Sequence, residues 1–250
     1  REKEIIQNLS FYFSPVILDK IRTPLSSILG FTNLIARDDI DSELKKLYSV
    51  YIENSSRSLV QSIDDFVDFT LLNMGMLSLE YSYFRLDHMF EELFRDLKQQ
   101  RRVYERLSVG LFNRTPDEFT GIEVYGDEQR VRQIVSRLTG YLLARSEKGI
   151  LEIGFQPLDE TGIRFFIRAT RVKKLKEKFL SNRSYRNHTS SKSSIIFPEY
   201  MLVRSLIELM DGELSIVAYE KEGIMFSVIL PMKYFVPENI MDKEVNADEI

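Results

Sequence analysis

The chain of 250 residues contains no cysteine and only two histidines, His88 and His188. The lack of cysteine excludes a disulfide, a thiolate metal site and a cysteine nucleophile, and two histidines are too few for a histidine-rich metal site. No apolar run approaches the roughly 20 residues of a membrane span, and the start does not resemble a signal peptide. Because the first residue is not methionine, we expect the chain to be part of a longer protein, so these absences say little about that protein.

The overall composition is that of an ordinary globular protein. Hydrophobic residues make up 44% and charged residues 29% of the chain, which is enough apolar surface for real cores. The net charge of −4 and the isoelectric point of about 5.5 give no general attraction to nucleic acid or to anionic membranes. The length allows one large domain or two small ones.

Residues 1–77 are predicted to form two long helices joined by a polar turn at residues 37–42. Apolar residues recur three or four positions apart in both helices, which indicates one apolar stripe on each. The first stripe contains Ile21, Leu25, Ile28, Leu29 and Ile35, and the second contains Leu44, Leu47, Tyr51, Leu59, Ile63 and Phe66. One hairpin cannot bury both stripes, whereas two hairpins can form a four-helix bundle. We therefore predict a homodimer through residues 1–77.

From about residue 79 the pattern changes to mixed helices and strands. The predicted helices are 86–104, 128–145 and 199–210. The predicted strands are 79–84, 107–113, 122–125, 149–156, 162–169, 213–219 and 224–231. The fold class is therefore α+β, with an α/β sandwich over residues 78–235. The acidic tail, residues 236–250, is expected to fray.

Four segments carry a resemblance to a known family. Residues 22–31 read RTPLSSILGF, residues 68–77 read DFTLLNMGML, residues 126–134 read GDEQRVRQI, and residues 206–214 read LIELMDGEL. In this order and spacing the chain resembles the core of bacterial sensor histidine kinases. The resemblance implies a HisKA-type dimerisation and phosphoacceptor hairpin, followed by a GHKL or HATPase-type domain that binds ATP in active members.

The phosphoacceptor itself is replaced. In the family a histidine, followed by an acidic residue, stands three residues before the arginine of the Arg-Thr-Pro-Leu run. Here these positions are Asp19 and Lys20. The imidazole nitrogen attacks the γ-phosphate and the carboxylate helps to take its proton, so this pair is expected to do neither. His88 and His188 lie far from this position in the sequence.

The ATP-site positions that the resemblance implies are replaced as well. The asparagine that binds Mg²⁺ corresponds to Tyr141, and the asparagine before it corresponds to Arg137. A phenol is a poor substitute for an amide oxygen on a hard cation. The aspartate that bonds to adenine corresponds to Ala169, and the two glycines after it correspond to Arg171 and Lys173.

The glycine-rich lid of the family is also missing. No glycine occurs between Gly162 and Gly212, although the family's backbone must approach the nucleotide closely there. The second glycine box corresponds to the neighbourhood of Phe197 and Glu199. The same stretch is rich in lysine and arginine, which is more typical of a solvated loop than of a phosphate or nucleic-acid site.

These replacements favour a dimeric pseudokinase of two-component signal transduction, without ATP, Mg²⁺ or another metal as cofactor. We expect a cytoplasmic protein whose partners are a response regulator or another histidine kinase, docked at Arg22, Pro24 and Leu25, and no nucleic acid. One alternative is a response-regulator phosphatase, because in the family the residue at Thr23 positions water. Helix sterics around Pro24 explain Thr23 about as well. The other alternative is a divergent but active kinase.

Overall fold

A computed structural model describes the protein at residues 15–37, 39–103, 106–158, 162–172, 198–219 and 223–235. Contacts between Cα atoms divide the chain into two units, residues 1–78 and residues 79–250. We call them the helical unit and the sheet unit. No helix in the described part of either unit combines the length and the apolar character that crossing a membrane requires.

The helical unit is a hairpin of helix α1, Pro15–Ile35, and helix α2, Ser42–Met74. The polar turn predicted between them begins α2, because the Asp41 carboxylate accepts a hydrogen bond from the Leu44 N–H at 2.9 Å. At the other end, Gly75 adopts a left-handed φ of 66°, which glycine tolerates and which terminates the helix.

Aromatic rings join the two helices close to the turn. The Phe31 ring of α1 lies 4.9 Å from the Tyr51 ring and 5.5 Å from the Tyr48 ring of α2, measured between centroids. On both helices, large apolar side chains remain exposed. On α1 these are Leu18, Leu25 and Leu29, and on α2 they are Leu44, Leu47, Val50, Val60, Ile63, Val67 and Met74. A single hairpin thus leaves much of its apolar surface in water.

The described part of the sheet unit has eight strands and three helices. The strands are β1 Ser82–Arg85, β2 Val109–Asn113, β3 Glu123–Gly126, β4 Gly149–Leu158, β5 Gly162–Ala169, β6 Glu213–Tyr219, β7 Gly223–Leu230 and β8 Lys233–Phe235. The helices are α3 Leu86–Val103, α4 Glu128–Arg145 and α5 Pro198–Leu209, with a short 3-10 turn at Asp117–Phe119.

The strands form two sheets. The larger has the order β2-β4-β5-β7-β6 and the smaller the order β1-β3-β8. All pairs are antiparallel except β2 with β4, which run parallel. The three helices contact the larger sheet, and between them lies a core in which the Phe90 ring of α3 is 5.0 Å from Phe155 and 6.1 Å from Phe165. The expected α+β sandwich is confirmed.

Strand β8 was not expected from the sequence, and β1 begins at Ser82 rather than at residue 79. Both differences have a local cause. Strand β8 has only three residues, too few for an alternating pattern to be visible. In the stretch before β1, the Glu80 N–H donates to the Asp127 carboxylate at 2.9 Å and so takes no part in the ladder.

Asp127 is a buried carboxylate that joins two distant parts of the sheet unit. Its side chain caps α4 by accepting from the Arg130 N–H at 3.0 Å, and its second oxygen accepts from the Glu80 N–H. Only 3% of Asp127 is exposed. Because a buried charge is costly unless it is hydrogen-bonded, both donors are needed, and the bond to Glu80 fixes where the chain enters the first strand.

We expect Asp127→Ala to lower the free energy of unfolding by about 2–3 kcal/mol, because it removes a helix cap and leaves the part-buried N–H of Glu80 without its acceptor. Asp41→Ala is the matched control, since Asp41 caps α2 in the same way but is exposed, and should cost only about 1 kcal/mol. Urea unfolding followed by circular dichroism measures both losses. Equal losses would contradict the bridging role of Asp127.

Candidate functional site

The position of the family's phosphoacceptor lies on α1, where Asp19 is exposed to solvent. Its carboxylate oxygen Oδ1 lies 3.7 Å from Nη1 of Arg22, one turn along, with 66% and 73% of the two side chains exposed. Such an exposed ion pair contributes little to stability. Lys20 is half-buried and follows Asp19 on the helix. The arrangement offers a carboxylate at this position and no imidazole.

An open groove runs along α1 beyond Asp19. Its lining residues are Arg22, Thr23, Ser26, Ser27, Gly30, Phe31 and Leu34. The Ser27 hydroxyl donates to the Thr23 carbonyl at 3.1 Å, which leaves the helix backbone intact below the groove. At Gly30 the position of a Cβ atom has no neighbour within 4 Å, so the groove is open there.

Of the three docking residues expected from the sequence, only Arg22 lines this groove. Pro24 is buried, and Leu25 is exposed but is not part of the groove lining. A buried ring cannot meet a partner, so Pro24 is left out of the docking surface considered below. Helical spacing from Thr23 to Ser27, Gly30 and Leu34 was the signal in the sequence that could have located the groove.

Tyr141, which the sequence resemblance assigns to the family's Mg²⁺-binding position, is a packed residue of α4. Its ring centroid lies 6.2 Å from that of Phe226 on β7, edge to face, and the guanidinium carbon of Arg145 lies 3.7 Å from the Tyr141 ring centroid. Burial raises the pKa of the Tyr141 phenol above its usual value, against a smaller opposite effect of Arg145. The phenol is therefore neutral near pH 7 and provides no anionic oxygen.

Arg137 lies one turn before Tyr141 on α4 and is half-buried. Arg145 lies one turn after it, so Arg137, Tyr141 and Arg145 follow one line along the helix. The covering of Tyr141 by Arg145 was missed in the sequence, although the spacing of four residues was visible there. In the described part of the chain, no group of three or more acidic or histidine side chains is placed to hold a metal ion.

Ala169, which the sequence resemblance assigns to the adenine-binding position, ends strand β5 and is fully buried. It pairs with Leu151 on one side and Ile224 on the other. A methyl group there can neither donate nor accept a hydrogen bond.

Arg171 follows in a left-handed conformation, with a φ of 56° that is strained for a residue other than glycine. The chain around it is fixed, because the Thr170 hydroxyl accepts from the Ile150 N–H at 2.9 Å and Val172 bridges to Ser146. Gly149 makes this possible: a Cβ atom there would lie 2.7 Å from the Thr170 carbonyl oxygen. Some of the positions singled out in the sequence lie outside the described residues. These are Lys173, His188 and Phe197, the basic stretch at residues 173–197, the acidic tail at residues 236–250 and the side chain of Glu199.

The chain has relatives among curated proteins. The model of the His Kinase A (phospho-acceptor) domain matches residues 12–75. The chain is 24% identical over 246 residues to Histidine kinase 5 of Arabidopsis thaliana, covering 86% of the chain and 26% of that protein. It is 22% identical over 231 residues to the autoinducer 2 sensor kinase/phosphatase LuxQ of Vibrio vulnificus, covering 86% and 25%. The chain thus carries a His Kinase A (phospho-acceptor) domain at residues 12–75 and is similar over most of its length to sensor histidine kinases.

Solved structures agree with this assignment at the level of the fold. The histidine kinase AdeS of Acinetobacter baumannii superposes with a TM-score of 0.58 at 16% identity, over 86% of this chain and 98% of that one. The histidine kinase ThkA, solved in complex with the response regulator protein TrrA, gives a TM-score of 0.58 at 19% identity, over 92% and 64%. The family resemblance seen in the sequence is confirmed. The chain spans about a quarter of the length of the curated relatives reported above.

If Tyr141 is a packing residue, then its ring matters for stability and its hydroxyl does not. We expect Tyr141→Phe to change the free energy of unfolding by less than about 1 kcal/mol and Tyr141→Ala to lower it by about 2–4 kcal/mol, because the contact with Phe226 is lost. Urea unfolding measures both. A Tyr141→Phe loss as large as that of Tyr141→Ala would assign the role to the hydroxyl.

Proposed function

We propose that this histidine kinase core is a signalling pseudokinase: a dimer that neither binds Mg-ATP nor phosphorylates itself, and that acts as a scaffold or allosteric partner of a response regulator or an active kinase. The match to the His Kinase A (phospho-acceptor) domain supports two-component signalling as the context. The single observation that carries the proposal is the exposed carboxylate of Asp19 at the acceptor position of an intact helix α1. A carboxylate has no imidazole nitrogen with which to attack a γ-phosphate.

The nucleotide positions support the proposal independently of Asp19. A hard cation such as Mg²⁺ requires oxygen ligands in a near-octahedral arrangement, whereas Tyr141 offers a neutral phenol that is packed against Phe226 and beneath Arg145. At the adenine position, the methyl group of Ala169 cannot accept a hydrogen bond from the adenine amine. Each loss removes a hydrogen bond or a ligand, and together they favour the absence of any nucleotide cofactor.

The groove on α1 is the surface that we propose for docking. It is open, it presents both apolar and hydroxyl side chains, and its residues lie within four turns of Asp19. The histidine kinase ThkA was solved with a response regulator, and the same kind of partner suits this groove. Thr23 lies in the groove and is exposed, which keeps the phosphatase alternative open, because a hydroxyl there could position water beside a docked aspartyl phosphate.

Dimerisation is the second part of the proposal, and the exposed apolar residues of the helical unit support it. The exposed apolar residues of α1 recur at spacings of seven and four: Leu18, Leu25 and Leu29. Those of the second half of α2 recur at spacings of three, four and seven: Val60, Ile63, Val67 and Met74. Residues at such spacings share a helix face. Packing these faces against a second hairpin would remove them from water in a four-helix bundle.

We expect no labelled phosphohistidine when the protein is incubated with radiolabelled Mg-ATP, and no label after Asp19→His either, because the nucleotide positions are altered independently of the acceptor. The melting temperature should stay the same with Mg-ATP, since only a ligand that binds the native state raises it. Inorganic triphosphate without metal is the control for binding to basic side chains. Label on the Asp19→His protein would favour the divergent kinase.

The Thr23→Ala variant separates the pseudokinase from the phosphatase in the same set of assays. If the wild-type protein accelerates loss of phosphate from a response regulator and Thr23→Ala does not, then the phosphatase alternative is correct.

For the dimer, we expect Ile63→Asp to convert the protein to a monomer, because the substitution would bury an unpaired charge between the hairpins. Gln61→Asp is the matched control, since Gln61 is exposed on the same helix and lies outside the apolar stripe. Light scattering during gel filtration measures the mass. A dimeric Ile63→Asp protein, or a wild-type protein that stays monomeric at the highest concentration measured, would contradict this arrangement.

A further inference from the structure

Four aromatic side chains form a continuous layer on one side of the small sheet. Tyr83 of β1 lies beside Tyr125 of β3, with 5.0 Å between ring centroids, and 5.8 Å from Phe235 of β8. Tyr81, just before β1, lies 5.7 Å from Tyr125. We call these four residues the aromatic face. Their neighbours in sequence, Phe84 and Val124, are buried on the other side of the sheet, so the alternation of the strands directs the aromatic face outward.

All four side chains of the aromatic face are largely exposed to solvent. The exposed fractions are 47% for Tyr81, 62% for Tyr83, 40% for Tyr125 and 51% for Phe235. At about 100 Å² for half of one aromatic side chain, the face presents about 400 Å². Contiguous apolar patches of this size on a monomer are often functional. None of these four aromatic residues lines the proposed docking groove or stands at one of the nucleotide positions.

The charges beside the aromatic face suit a second copy of the same face. Lys233 is the register partner of Tyr125, and Glu123 is the register partner of Phe235, and both are exposed on the outward side. When two copies meet about a two-fold axis, each surface meets itself. The outward side carries both signs of charge, with Arg85 opposite Glu123 as a second basic residue, so charges of opposite sign can pair across the axis, whereas a face of one charge sign would repel itself.

The area of the face limits how such a contact could form. Two copies would bury about 800 Å², less than the roughly 1,200 Å² of a stable independent interface. The face begins three residues after Ser78, the last residue of the helical unit. In a dimer held by the hairpins, this short connection would keep the two sheet units at a high effective concentration, on the order of millimolar. A contact too weak to form alone would then be populated.

We propose that the aromatic face packs against the same face of the partner copy within the hairpin dimer. The proposal rests on the dimer put forward above. Its consequence is that the two sheet units of a dimer are held together reversibly. The contact gives the pseudokinase a second arrangement that can respond to events in the hairpin without any nucleotide.

Cross-linking tests this contact, because the chain has no cysteine of its own. Tyr81→Cys and Lys233→Cys place single thiols at two edges of the aromatic face, and Arg95→Cys on α3 is the exposed control. With a short bis-maleimide, at least one of the two face variants should cross-link about tenfold faster than the control, at a rate that does not change on dilution. Adding Tyr83→Ala should reduce the rate to that of the control, and Tyr83→Phe should preserve it.

The proposal is overturned if neither face variant exceeds the control while light scattering reports a dimer. It is also overturned if cross-linking appears only after residues 236–250 are deleted, which would assign the face to the chain beyond Phe235. If light scattering reports a monomer, then the proposed hairpin dimer is wrong, and the proposed contact between aromatic faces is wrong as well. Loss of cross-linking on adding Ile63→Asp is the expected result for a contact that depends on the hairpin.

Discussion

The burial of helix α4 against the five-stranded sheet is the constraint on which the sheet unit depends. Seven of its residues are buried, and it contacts both neighbouring helices and two central strands. The Asp127 carboxylate caps its first turn and so fixes where the helix begins. Because this face cannot rotate without loss of the core, the positions of Arg137, Tyr141 and Arg145 are determined as well. The chemistry of those positions can change while the scaffold that presents them stays the same.

Strong local signals explain why much of the fold could be predicted. The range of α4 was obtained correctly because Asp127 is a capping residue directly before a regular apolar stripe, and β5 and β6 were obtained correctly because glycines stand at their starts. Strand β8 could not be predicted from the sequence, because its three residues are too few to show an alternation of apolar and polar side chains. They form a strand because they pair with β3. The start of α5 at Pro198 lay one residue before the predicted start, within the ordinary uncertainty of helix ends.

The contacts of the candidate site could not be predicted from the sequence. The resemblance assigns Tyr141 and Ala169 to the metal and adenine positions, and this assignment stays a prediction. Whether a phenol points into a pocket or packs on a neighbouring strand depends on Phe226, which lies 85 positions further along the chain. The burial of Pro24, likewise, follows from packing that no spacing reveals.

The packing of Tyr141 also determines what a substitution at this position costs. The ring fills space between α4 and β7, and the guanidinium group of Arg145 lies on its face. Asparagine would leave Phe226 and Arg145 without that ring, so the smaller side chain would open a gap between the helix and the sheet. Any amide introduced there would therefore have to act within a less stable sheet unit.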